Sequence, residues 1–196
     1  GIYVYGILSV IMLRSKASCA FFLISMFLLS VQSPTLLADS ELSETSGRSQ
    51  TTWSGNVVLN NHYTIPVTDE LIISPCTNVT MSNGVRIYVE GRITVEGTST
   101  CPVYFDYSGG GDHMGLQFNS SSNGRGSKID NASIIHSTYG ITVYGSDPYL
   151  ANVTIWNPDD VGVDLFNSAT PTIRNLVIDE AGQDWNFPNY WRYGIG

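Results

Sequence analysis

Three cysteines carry the most reactive side chains of this sequence, and two of them are candidates for a disulfide. Cys19 precedes a long apolar run, whereas Cys76 and Cys101 are 25 residues apart in a polar region rich in turn residues. Such a pair oxidises when the chain is exported from the cell. The nearest histidines, His62 and His113, are not at ligand spacing from the cysteines, so no metal site is predicted. A disulfide requires elements that bring the two Cα atoms within about 7 Å of each other.

Acidic and aromatic side chains near Trp156 form a second group with possible chemistry. Trp156 is followed by Asn157-Pro158-Asp159-Asp160-Val161-Gly162-Val163-Asp164. The Asn-Pro-Asp-Asp sequence favours a turn between two strands, and this is the interpretation preferred for Asp159 and Asp160. An indole on a flat surface, beside acids that accept hydrogen bonds, can stack on a sugar ring.

Short strands must position these side chains. Downstream of its leader the chain has no helical period, and apolar residues alternate with polar ones. The segment Gly140–Ile155 can be laid over Gly162–Ile178 with one inserted residue, and Asn131, Asn152 and Asn175 recur at intervals of 21 and 23 residues. The leucine framework of a leucine-rich repeat is missing. The period therefore predicts a solenoid of parallel coils, with strands about 4.8 Å apart.

The coils predict which side chains meet. Asn131, Asn152 and Asn175 fall at one turn, where each side-chain amide can bond the next and form an asparagine ladder. Cys76 and Cys101 are close to one coil apart, which predicts a disulfide worth ~3.5 kcal/mol in the chain-entropy estimate. Two buried free thiols are the alternative. Alternate strand residues are expected to point into the core: Ile141, Val143, Leu150, Val153, Ile155, Val163, Leu165, Ile173, Leu176 and Ile178.

Outward side chains fall into columns that run along the solenoid. Trp156 shares its column with Asp179, His136 lies in the next column, and Asp164 points outward from a different strand. These four residues are the predicted ligand-binding positions. No column places two acids on adjacent coils, but the separation of Asp164 and Asp179 depends on a turn that the sequence does not define. An alternative for Trp156 is packing under the insertion that follows, which carries Trp185, Phe187, Tyr190 and Trp191.

The first coils carry motifs that can be compared with known proteins. The strongest are Val89-Glu90-Gly91-Arg92-Ile93-Thr94-Val95-Glu96-Gly97-Thr98 and Pro102-Val103-Tyr104-Phe105, together with the later Gly-Ile and Pro-x-Ile coils. From roughly Trp53 to Ile178 the chain resembles the right-handed parallel β-helix repeat proteins of the pectin-lyase-like superfamily. The segment Leu71-Ile72-Ile73-Ser74-Pro75-Cys76 resembles the leucine-x-isoleucine-x-proline-glycine turn of these proteins, but has Cys76 in place of the glycine. The resemblance implies an all-β, right-handed parallel β-helix. Because Tyr193-Gly194-Ile195 starts a strand without a cap, the last coils are expected to be missing.

The resemblance implies two possible reactions, because enzymes of that superfamily act on polysaccharides. Lyases use carboxylate-bound Ca²⁺ and a basic residue, whereas hydrolases use paired aspartates. The segment 157–164 superficially resembles the hydrolase Asp-Asp signature, but the Gly-His-Gly and Arg-Ile-Lys motifs that complete it are absent from the sequence. No catalytic residue is therefore predicted in this chain. Ca²⁺ stays open as the one cofactor that the resemblance suggests.

The N-terminal segment has the pattern of an export signal. The basic stretch Met12–Lys16 precedes the apolar run Ala20–Val31, which is 12 residues long and shorter than the ~20 residues that span a membrane. An uncleaved anchor is the alternative. The predicted organisation is upstream translation over 1–11, a signal peptide over 12–38, a polar linker over 39–52 and the β-helix domain over 53–196.

Charge and export together limit the partners. Acidic residues outnumber basic ones 17 to 9. Such a surface repels phosphate backbones, so nucleic-acid binding is not expected. We expect a secreted or cell-surface monomer, without a membrane span in the mature chain, that binds a polysaccharide or cell-surface glycan without cleaving it or has a structural or adhesive role. The alternative is a fragment of a polysaccharide lyase or glycoside hydrolase whose active site lies in the missing coils.

Overall fold

The computed structural model describes residues 47–181, and these residues form a solenoid of stacked parallel coils. Within this region the only helical segment is a 3₁₀ turn, Ser120–Ser122. The predicted all-β solenoid is therefore confirmed. Its strands are β1 Gln50–Trp53, β2 Asn56–Leu59, β3 Tyr63–Ile65, β4 Glu70–Ile73, β5 Asn78–Met81, β6 Ile87–Val89, β7 Arg92–Glu96, β8 Val103–Tyr107, β9 Leu116–Phe118, β10 Lys128–Ile135, β11 Tyr139–Tyr144, β12 Tyr149–Trp156, β13 Val161–Phe166 and β14 Thr172–Asp179.

Two parallel sheets build the described coils. Sheet B contains β3, β6, β9, β11 and β13, and sheet A contains the other nine strands. The long strands β10, β12 and β14 divide sheet A into two limbs. Their first halves continue the order β1, β4, β7, which we call the N-terminal limb. Their second halves continue the order β2, β5, β8, which we call the C-terminal limb.

Aliphatic side chains from successive coils stack on one another in the core. Ile73, Val95, Ile129 and Leu150 are register partners in the N-terminal limb, and all four are fully buried. Full burial of one such side chain stabilises the fold by roughly 1.5–3 kcal/mol. The predicted inward positions are confirmed: Ile141, Val143, Leu150, Val153, Ile155 and Val163 are buried, whereas Leu165, Ile173, Leu176 and Ile178 pack against the core while partly exposed.

The predicted disulfide joins Cys76 to Cys101, whose Cα atoms are 4.7 Å apart. The backbone N–H of Cys76 also donates to the Cys101 carbonyl oxygen at 3.2 Å. Cys76 has φ of 62°, in the left-handed region that favours glycine. The position is therefore one where glycine is the ordinary residue, in agreement with the motif from which this chain departs.

The asparagine ladder forms at the bend between the two limbs, with one change from the expected bonding. Asn131, Asn152 and Asn175 all have left-handed φ angles, of 49°, 51° and 52°. Asn175 donates to Asn152 at 2.8 Å as predicted. Asn152, however, donates to the Asp130 carboxylate at 3.0 Å rather than to Asn131, which itself donates to Asp130 at 2.9 Å. One carboxylate oxygen of Asp130 therefore accepts a hydrogen bond from each of these two asparagines.

The first strand of sheet A includes the last three residues of the segment 39–52. Strand β1 begins at Gln50, which pairs with Glu70. Thr51 and Thr52 are β-branched, which suits a strand. The upstream segment 1–11, the signal peptide over 12–38, most of the linker and the predicted strand at Tyr193 lie outside the described residues. Within residues 47–181, no helix is long and apolar enough to cross a membrane.

Candidate functional site

A cleft of about 300 Å³ opens on the outer face of sheet B. Strands β11 and β13 supply most of its wall, because alternate residues of a strand point to the same side. Their register pairs Thr142 with Asp164 and Tyr144 with Phe166, so that each strand contributes a polar and an aromatic side chain at matching positions. The residues that line the cleft are Arg86, Met114, Tyr139, Thr142, Tyr144, Asp164 and Phe166.

Two stacked rings form the aromatic wall of this cleft. The Tyr144 and Phe166 ring centroids are 4.7 Å apart, and the ring planes are inclined by only 11°. Phe166 remains 40% exposed although it belongs to a strand. Stacking of this kind contributes about 0.5–1.5 kcal/mol beyond area burial. The stack therefore forms an apolar wall whose orientation is fixed before any ligand binds.

Arg86 is held in the cleft from several sides. Its Nε–H donates to the Met114 carbonyl oxygen at 2.9 Å, and Nη1 donates to the Gln117 side-chain oxygen. The guanidinium carbon lies 5.4 Å from the centroid of the Tyr139 ring, within the range of a cation–π contact. Arginine has five N–H donors. The bonds to Met114 and Gln117 use two of them, so the guanidinium can still donate to a ligand.

A chain of side-chain hydrogen bonds supports Arg86 along the outer face of sheet B. Gln117, which accepts from Arg86, donates to Asn119 at 2.8 Å. Asn119 and Ser121 in turn donate to the Glu90 carboxylate. The negative charge of Glu90 thus lies at the opposite end of this series of hydrogen bonds from Arg86. Such a fully bonded network rigidifies the face on which it lies.

Two carboxylates meet at the cleft. Burial raises the pKa of Asp164 above its ordinary value, and the negative charge of Asp160 raises it further. Burial also raises the pKa of the Tyr139 hydroxyl, again with a contribution from Asp160. Asp160 lies in the turn before β13, as the sequence predicts, with its backbone N–H bonded to the Thr138 carbonyl at 3.0 Å. What the sequence did not indicate is that its carboxylate acts on Tyr139 and Asp164.

The four predicted ligand-binding residues are divided between two faces. Asp164 lies in the cleft of sheet B, whereas Trp156 and Asp179 lie on the C-terminal limb of sheet A and His136 directly follows strand β10 of that limb. Trp156 is the register partner of Asp179, as predicted. Because Asp164 and Asp179 point outward from different sheets, the structure does not bring this pair of acids together.

The surface around Trp156 differs in character from the cleft. The indole is 38% exposed and contacts the His136 ring edge-on, with the two centroids 5.3 Å apart. His136 Nδ1 lies 3.2 Å from a carboxylate oxygen of Asp106. The exposed indole forms the aromatic centre of this surface.

Metal binding gains no support from the part of the chain that the structure describes. In residues 47–181, no three His, Cys, Asp or Glu side chains are grouped so that they could hold a metal ion.

Comparisons of the sequence and structure with protein-family models, with curated proteins and with solved structures find no match. The pectin-lyase-like superfamily thus stays a resemblance carried by the motifs of the first coils. The structure itself establishes the parallel solenoid, its disulfide and the two outer faces described above.

Proposed function

We propose that this chain is an extracellular β-helix module that binds a neutral polysaccharide in the cleft of sheet B and does not cleave it. The observation that carries the proposal is the stacked pair of Tyr144 and Phe166 beside Arg86 and Asp164. An ordered apolar wall next to a few convergent hydrogen-bonding groups suits a sugar ring, which has apolar faces and hydroxyls around its edge.

Rigidity supports binding at this site. The rings are stacked on each other, and Arg86 is bonded to Met114 and Gln117. A site whose side chains are already ordered loses less conformational entropy when a ligand binds. The parallel ladder of the solenoid holds both strands of the wall in one register.

Charge favours a neutral ligand over an acidic one. Asp164 lines the cleft and is acted on by the negative charge of Asp160, whereas Arg86 is the one cation among the lining residues. Burial raises the pKa of Asp164, and the charge of Asp160 raises it further. A uronate placed here would meet the same repulsion, whereas hydroxyl groups would donate to these carboxylates.

Export is supported by the disulfide and by the leader pattern. Disulfides form and persist in oxidising environments outside the cytosol. The sequence motifs support membership of the pectin-lyase-like superfamily, and on that basis we place the chain with its secreted, glycan-associated members.

A second candidate function is glycoside hydrolysis, and the neighbouring carboxylates of Asp160 and Asp164 favour it. An acid with a raised pKa can protonate a leaving group while a second carboxylate acts as base or nucleophile. This candidate ranks lower because the motifs that complete the hydrolase site are absent from the sequence. Incubation with neutral polysaccharides separates the two functions: new reducing ends that disappear in Asp164→Asn and Asp160→Asn would establish hydrolysis.

Affinity electrophoresis tests the proposed binding. The chain is run through gels that contain a soluble β-glucan, a mannan, a xylan or polygalacturonate. We expect one of the neutral polymers to retard it and polygalacturonate to have no effect. Tyr144→Ala should weaken the retardation markedly, whereas Val67→Ala, at a 42% exposed site outside the cleft, should not. Retardation by polygalacturonate alone, or equal retardation of Tyr144→Ala, would contradict the proposal.

A further inference from the structure

Two exposed aromatic residues lie on the outer face of the C-terminal limb, away from the cleft. Tyr104 is 41% exposed and Trp156 is 38% exposed. Ser133 of β10 pairs with Tyr104 of β8 on one side and with Thr154 of β12 on the other. Tyr104 is therefore two strands away from Thr154, and Trp156 lies two residues farther along β12. Strand spacing and rise per residue put the two aromatic positions roughly 12 Å apart on one flat face.

The Trp156 ring is oriented by its neighbours. The Asp106 carboxylate accepts the Tyr107 backbone N–H at 2.7 Å and lies 3.2 Å from His136 Nδ1. The His136 ring then packs edge-on against the indole, with the planes inclined by 69°. The chain from Asp106 through His136 to Trp156 fixes an exposed ring that would otherwise sample several rotamers. An exposed ring held in this way is prepared to stack on a ligand.

Polar groups lie beside the two rings. The hydroxyls of Ser133 and Thr154 belong to the same column as Tyr104, next to the column of Trp156, and Asp179 is the register partner of Trp156. Hydroxyls and carboxylates at these places suit a ligand that is itself rich in hydroxyl groups. They suit an apolar protein surface poorly, because its contact would bury them without partners.

Charge again selects a neutral ligand. The described outward positions of this limb include Asp106 and Asp179 and hold no Lys or Arg. An acidic polymer would meet two carboxylates with no cation to compensate them. The outward positions in question are Asn56, Val58, Asn78, Thr80, Tyr104, Asp106, Ser133, Ile135, Thr154, Trp156, Val177 and Asp179.

We propose that the Tyr104–Trp156 surface is a second binding site for neutral polysaccharide, independent of the cleft on sheet B. The proposal takes its ligand class from the proposed function and adds a separate site. Because the two sites lie on different sheets, one solenoid can hold two polysaccharide chains, or two segments of one chain. Two weak sites on a rigid body gain avidity when both are engaged.

Affinity electrophoresis of four chains tests the second site: wild type, Trp156→Ala, Phe166→Ala and the double variant. The probe is whichever neutral polymer, β-glucan, mannan or xylan, retards the wild type most. We expect each single variant to bind roughly tenfold more weakly than the wild type, and the double variant to migrate as if no polymer were present. Trp156→Tyr keeps a stacking ring and should restore most of the retardation. Equal far-UV circular dichroism of all variants confirms that they fold.

The outcomes separate the two proposals. If Trp156→Ala binds like the wild type while Phe166→Ala loses all binding, the second site is overturned and the proposed function stands. If the wild type binds no neutral polymer, both are overturned. If size-exclusion chromatography shows a dimer that Trp156→Ala dissociates, this surface joins two copies of the chain and the inference is again overturned.

Discussion

The core of the solenoid repeats from coil to coil, whereas its outer faces differ from one another. Inward columns are apolar from coil to coil, as in Ile73, Val95, Ile129 and Leu150. The outward column of sheet B passes instead from Gln117 through Thr142 to Asp164. The same strands supply both sides, but the repeat constrains only the residues that point inward. The repeat determines the architecture, and the departures from it on the outside determine what the surface can bind.

Neighbouring residues of β8 give the sharpest contrast between the two sides. Phe105 is fully buried, and Tyr104 beside it is 41% exposed. We expect Phe105→Ala to lower the free energy of unfolding by about 3–5 kcal/mol, because a large cavity replaces the ring. Tyr104→Ala should change it by no more than about 0.5 kcal/mol. Urea denaturation of both variants measures the difference, and similar losses would show that the outer face also holds the fold.

The disulfide is expected to have the next largest effect. The cysteines are 25 residues apart, and closing a loop of that length stabilises the chain by about 3.5 kcal/mol in the entropy model. The double variant Cys76→Ser, Cys101→Ser should therefore unfold at a lower denaturant concentration while polysaccharide binding stays unchanged. A double variant as stable as the wild type would show that the coils need no covalent link.

His113 brings a polar group into the interior, and its effect depends on pH. The side chain is fully buried, with Nδ1 accepting the Gly115 N–H at 2.9 Å and Nε2 3.0 Å from the Ile135 carbonyl. Burial lowers its pKa from 6.5 to about 4. Because the folded state disfavours the protonated form of His113, the stability gained by keeping this side chain neutral is complete above pH 6.5. It is lost as the pH falls towards 4.

The loss over this range should be about 3 kcal/mol. Denaturant unfolding between pH 7 and pH 4 measures it. His113→Asn serves as the control, because a neutral amide cannot titrate there. The variant should lose less stability than the wild type across the same range. Parallel pH profiles for the two proteins would contradict the assignment to His113.

The sequence predicted the repeating parts well and the local geometry of the site only in part. Asn152 and Asn175 were predicted to be bonded because their spacing matches one coil. The insertion of Asp130 into the ladder was not predicted, since it depends on where one carboxylate points. Arg86 was missed because its partners, Met114 and Gln117, lie 28 and 31 residues downstream, on an adjacent coil that is longer than the repeat of 21 to 23 residues. The turn at Asp160 was predicted correctly, but the side on which its carboxylate lies is set by packing.

The most direct test of the account is a pair of measurements on Phe166→Ala, namely calorimetric titration with the neutral polysaccharide that retards the wild type and denaturant unfolding. We predict an affinity roughly tenfold lower, as expected for the loss of one stacked ring, with the free energy of unfolding within about 0.5 kcal/mol of the wild type. Unchanged affinity would contradict the placement of the ligand in the cleft of sheet B. A large loss of stability would contradict the separation between a core that holds the fold and outer faces that bind.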